Sequence, residues 1–131
     1  MKQIKVLQIP KWIQDPKVDR SIEAIIVLKN ANLSRIDDEV IEINDNEEEQ
    51  IFFKTRYTIN CIFEVYPDEE AFKRRSLPIT MFREKFDLQP EPDNEAFLLT
   101  NEEFIFKLLM NNITLTDQDY KSGSIKMIPA I

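Results

Sequence analysis

From Ile51 to Tyr66 the chain reads IFFKTRYTINCIFEVY, and no other stretch limits the possible folds so tightly. Thr55, Tyr57, Ile59, Cys61, Phe63 and Val65 fall on one parity, and Lys54, Arg56, Thr58, Asn60 and Glu64 on the other. This is the period-two pattern of a strand with one wet face, and a helix cannot sort residues that way. At ~3.3 Å per residue the stretch reaches roughly 50 Å, where an ordinary strand has about five or six residues. It therefore either bends at a bulge across two sheets or projects beyond the body. Pro67 ends it, because proline has no amide hydrogen to give to a ladder.

The rest of the composition removes functions more readily than it supplies them. The 131 residues suit one domain, 1–131, and 43% apolar residues are enough for a core. There is no histidine, which takes away the commonest general base and metal ligand, together with every Ser/His or Cys/His arrangement. Gly123 is the one glycine, so neither a P-loop nor a dinucleotide fingerprint can be built. Cys61 is the one cysteine, which rules out an intramolecular disulfide; on the apolar parity of the long strand it reads as a small buried hydrophobe. The net charge of −7 disfavours nucleic acid as a direct partner and suits a basic protein partner. No apolar run approaches the roughly twenty residues of a membrane span, and no leader pattern opens the chain, so a cytoplasmic or virion location is expected. Heavy use of Ile, Lys, Asn and Glu is what an AT-rich bacterial or viral genome would encode.

Along the chain, Lys2 to Ile9 reads as a strand stopped by Pro10, and Pro10 to Arg20 as a loop holding Trp12. Ser21 to Lys29 is apolar on both parities, as expected of a central strand covered on both faces. A turn over Asn30 to Ser34 leads to a further strand, Arg35 to Ile43. Asn44 to Glu49, NDNEEE, then turns the chain into the long strand and makes a hairpin.

Residues 68–75, DEEAFKRR, place acids before bases and predict a short helix. Leu77 to Leu88 fits a strand followed by a helical turn, and Gln89 to Glu95 an extended connection. Residues 101–111 form the best helix: Thr100 with Glu103 makes a capping box, and Phe104, Ile105, Leu108 and Leu109 one apolar stripe. Phe106 and Met110 lie toward another side. Ile113 to Thr116 and Ser124 to Ile128 alternate as short strands. The fold expected is mainly β (α+β): an antiparallel β-sandwich or partly open barrel of about six or seven strands, with a packed helix and a short one.

Acidic clusters at Asp37 to Glu39, Glu47 to Glu49, Asp68 to Glu70 and Asp117 with Asp119 lack EF-hand spacing and read as solvated loops. Catalytic, metal and cofactor residues are all expected to be none. The candidate interaction residues are Trp12, an aromatic in a proline-bounded loop; the basic residues Lys54, Arg56, Lys73, Arg74 and Arg75, which could grip an anion if they converge; and Phe106. The function expected is non-enzymatic: a structural or assembly protein in a homo- or hetero-oligomer, most concretely a phage or viral virion component such as a connector, ring or tail protein. Two alternatives stand beside it. One is a small acidic inhibitor or decoy that covers a basic nucleic-acid-binding surface; the other is an enzyme or ligand-binding barrel using carboxylates alone.

Overall fold

The computed structural model describes residues 2–15, 17–18, 20–88, 101–111 and 118–130. The strands are β1 (Gln3–Asp15), β2 (Arg20–Ile43), β3 (Glu49–Tyr66), β4 (Thr80–Leu88) and β5 (Ser124–Pro129), and the helices α1 (Glu69–Lys73) and α2 (Glu102–Asn111). Among the described residues all strand pairs are antiparallel, in one five-stranded sheet of order β4-β3-β2-β1-β5. β1 to β4 form a meander, and the segment containing α2 carries the chain from the β4 edge to β5 at the opposite edge.

Among the described residues the sheet is open and has five strands, where a sandwich or partly open barrel of about six or seven was expected, and local chemistry explains part of the difference. The turn expected at Asn30 to Ser34 is a bulge. Leu28 faces Phe63 and Asn30 faces Ile62, leaving Lys29 as the extra residue, so two expected strands are the single strand β2. Pro10 does not stop β1 either. It falls at a register shift between Ile9, opposite Ala24, and Trp12, opposite Ile22, where its missing amide hydrogen breaks no ladder bond. The helical turn expected at the end of Leu77 to Leu88 is also strand: Phe82 and Phe86, four apart, share a face under either period. The expected connection at Gln89 to Glu95 and strand at Ile113 to Thr116 lie outside the described residues.

β2 is central, and from Ala24 to Val27 both its faces are covered. On one face Ala24 and Ile26 join Leu7, Ile9, Ile59, Phe63 and Val65 beneath Ile105, Phe106 and Leu109 of α2. On the other, Ile25 and Val27 pack with Val6, Tyr66, Ile128 and Ala71 of α1. The sheet curls far enough that Trp12 on β1 stacks on Phe82 of β4, ring centroids 5.9 Å apart, across two intervening strands. Lys5 Nζ donates to Glu103 Oε2 at 2.8 Å and ties α2 to β1. At the start of α2, Asn101 Oδ1 accepts from the amides of Glu103 (2.9 Å) and Phe104 (3.4 Å). Asn101 thus takes the capping role expected of Thr100, which lies outside the described residues. Among the described residues, no helix is long and apolar enough to cross a membrane.

Candidate functional site

β2 and β3 stay paired from Ile25 opposite Tyr66 to Ile43 opposite Glu49, well beyond their neighbours. β1 flanks β2 only as far as Ile26, and β4 flanks β3 only from Tyr57 to Val65. From Ile36 and Arg56 outward the hairpin is therefore, among the described residues, a two-stranded arm with no strand beside it. At ~3.3 Å per residue, Ile36 to Ile43 extend roughly 25 Å. Of the two geometries open to so long a strand, projection is the one adopted.

Residues at the tip sort by parity. Ile41, Ile43, Ile51 and Phe53 continue the sheet face that α2 covers nearer the body, and they are 58%, 71%, 58% and 69% exposed. Phe52, on the reverse face opposite Val40, is 41% exposed. The turn beyond them is closed by Asn44, whose Oδ1 accepts from the amides of Asn46 and Glu48, each at 3.0 Å. Between Ile36 and Arg56 stand eight acidic residues and only two basic ones, Lys54 and Arg56. Nearly all of the chain's net negative charge thus lies on the arm.

A polar collar anchors the arm where it leaves the sheet. Arg56 binds Asp38 (2.8 Å) across the hairpin and Asp87 (3.4 Å) on β4, and Thr58 Oγ1 donates to Asp87 (3.0 Å). Thr55 Oγ1 donates to Asp37 at 2.7 Å; that bond, and then Arg35 beside it, holds the Asp37 carboxyl below its usual pKa.

At the other end of β3, on the opposite face, α1 borders a second feature. Asp68 caps the helix by accepting from the Ala71 amide at 2.7 Å. The helix ends in a Schellman closure, with Ser76 N bonded to Ala71 O and Arg75 N to Phe72 O. Arg75 holds the left-handed position (φ 56°), where glycine is usual and a side chain costs about 1 kcal/mol. Its side chain lines an open cavity of about 470 Å³ with Ile4, Glu64, Tyr66, Phe72 and Leu77. Leu77 is 89% exposed. Burial, and then Glu64 beside it, pushes the Tyr66 phenol up.

The seven candidate residues divide accordingly. Trp12 is buried in β1 among Phe82 and Tyr120, not displayed on a loop, and is a core anchor. Phe106 is fully buried, its ring 6.0 Å from Phe63. It belongs to the core because the fully buried face of α2, Ile105, Phe106 and Leu109, is rotated from the stripe expected, so that Phe104 and Leu108 are only partly buried. The basic residues do not converge: Lys54 and Arg56 lie on the arm, whereas Lys73, Arg74 and Arg75 follow the far end of β3. Lys73 pairs with Glu69 at 3.6 Å. The tip residues Ile41, Ile43 and Phe53 were not singled out from sequence; the signal was apolar residues on both sides of an acidic turn, in a hairpin too long for any sheet its neighbours could make. Cys61 is buried, as expected, and among the described residues no cluster of His, Cys, Asp or Glu is placed to hold a metal ion.

Compared with known proteins, the chain matches no family model, no curated protein and no solved structure.

Proposed function

We propose that this chain is a non-catalytic assembly protein that works by inserting its arm into a protein partner. The observation that carries this reading is the tip: four large apolar side chains on one face of a projecting ribbon, each more than half exposed. Exposing such a patch is unfavourable in an isolated molecule and is offset where a partner covers it. The collar at Arg56 fixes the direction of the arm, so less ordering is required at the moment of contact. The concrete form of the reading is a virion component, a connector, ring or tail protein, acting in the virion or the host cytoplasm. The projecting arm and the Ile-, Lys-, Asn- and Glu-rich composition support it.

A second reading, an acidic decoy for a basic nucleic-acid-binding surface, is favoured by the gathering of carboxylates on the arm. The apolar tip favours assembly over it, because a nucleic-acid mimic needs charge at its end and gains nothing from isoleucine.

A photo-crosslinking residue placed at Phe53, with a control at the exposed Val18 on the body, tests the proposal in the native cells. One defined protein adduct from position 53, absent from position 18, is expected. Adducts equally abundant from both positions, or none from position 53, would overturn arm-mediated assembly. A single adduct to a nucleic-acid-binding protein, abolished by moderate salt, would transfer the reading to the decoy.

A further inference from the structure

The arm tip and the α1 cavity are complementary, and one molecule cannot bring them together. We infer that the tip of one copy seats in the α1 cavity of a second copy, a head-to-tail contact that rests on the assembly reading and names its partner.

Charge makes the first part of the case. Glu39, Glu42 and Glu49 border the apolar tip residues and, among the described residues, have no cationic partner. Arg75 lines the cavity and is preceded in the chain by Arg74, and Lys2 adjoins the wall, its carbonyl accepting from the amide of Ala130 at 2.8 Å; against these stands one lining acid, Glu64, which accepts a hydrogen bond from Tyr66. These three cations also lack an ion-pair partner among the described residues. A tip-to-tip dimer would instead press two strongly acidic arms together.

Shape and polarity make the second part. Much of the cavity wall is apolar or aromatic, from Ile4, Tyr66, Phe72, Leu77 and Pro78, beside the polar Glu64, Arg75 and Ser76, and Leu77 stands out into solvent as the tip residues do. Its volume accommodates a side chain the size of Phe53. Arg75 occupies a backbone position that glycine would fill without strain, and a strained residue at the mouth of a cavity points to a role for its side chain.

Geometry excludes the intramolecular alternative. Phe53 and Tyr66 lie toward opposite ends of β3, roughly 40 Å apart along the strand at ~3.3 Å per residue. They also face opposite sides of the sheet. Two different surfaces meeting in this way form a heterologous contact, which propagates as a ring or a filament.

Sedimentation velocity on the purified full chain tests the inference with two variants whose changes are exposed and compatible with their backbones. One, Ile43→Thr with Phe53→Thr, removes the tip; the other, Arg75→Gly with Leu77→Asp, removes the cavity contact. Wild type should associate beyond a dimer as concentration rises, while each variant alone remains monomeric with an unchanged circular-dichroism spectrum. An equimolar mixture of the two, with one intact tip and one intact cavity, should form one-to-one dimers and nothing larger. A monomeric wild type, a cavity variant that still assembles, or a mixture that stays monomeric would each overturn the head-to-tail contact. If wild type is monomeric while Phe53 crosslinks a different protein, the assembly reading survives and only the identity of the partner falls. A monomer that also gives no crosslink removes both.

Discussion

Ile41 faces Ile51 across the arm, and both are 58% exposed. Two isoleucines opposed in this way and more than half exposed add little to the stability of the hairpin. Replacing both with threonine keeps the β-branched shape and removes apolar surface. Unfolding in urea should therefore change by no more than about 0.5 kcal/mol, as for other surface substitutions, while binding of an apolar fluorescent dye falls severalfold. A loss of stability several times larger would mean that the arm packs against the body.

Trp12 and Phe106 have the opposite character. Both are buried, and both belong to the aromatic group that joins β1, β3, β4 and α2 through Phe63 and Phe82. Truncating either to alanine should cost about 3–5 kcal/mol, the usual range for a large aromatic in a core. Denaturant unfolding followed by circular dichroism measures this. Near-neutral values would return these residues to the interface role that the sequence suggested for them.

How much of this was legible in the sequence depends on which force decides each element. The alternation of β3, the two-sided burial of β2 and the charge order of α1 are local signals, and the structure follows them. Pro10 and the Asn30 to Ser34 stretch misled because a bulge absorbs a missing amide or an extra residue without ending a strand, and bulges depend on the partner strand. Phe106 misled because the rotation of α2 against the sheet, which decides whether Phe106 or Phe104 points inward, is set by tertiary packing and not by the helix's own periodicity. The arm was half legible: the length of β3 required a bend or a projection. Only the short reach of β1 and β4 shows that the apolar tip residues stand uncovered.

Gly123 is required by space and not by backbone freedom. A Cβ built there would lie 2.8 Å from Ile9 Cδ1, 2.9 Å from Leu7 Cδ1 and 3.1 Å from the Gln8 carbonyl oxygen. Leu7 and Ile9 are fully buried and cannot swing into solvent. Gly123→Ala should therefore destabilise the fold by about 1–3 kcal/mol through overpacking. Adding Ile9→Val, which deletes the clashing Cδ1, should cost less in the Gly123→Ala background than in wild type. Additive losses in a double-mutant cycle would show that the clash is relieved elsewhere.

Cys61 is buried in the sheet beside Glu84 of β4, and burial, followed by that carboxylate, pushes its thiol up to about 11 from an ordinary 9.0. The native state thus favours the protonated thiol, and the unfolded chain ionises first. The resulting contribution to stability is fully present below pH 9 and is lost as pH rises through about 11. The stability difference between wild type and Cys61→Ala should accordingly be flat from about pH 6 to 8 and shrink between about 9 and 11. A disulfide reagent added at pH 8 should label the thiol only as fast as the sheet opens, and denaturant should accelerate labelling in step with unfolding. Complete labelling of the native protein within the mixing time would place the thiol at the surface and contradict the packing of β3 against α2.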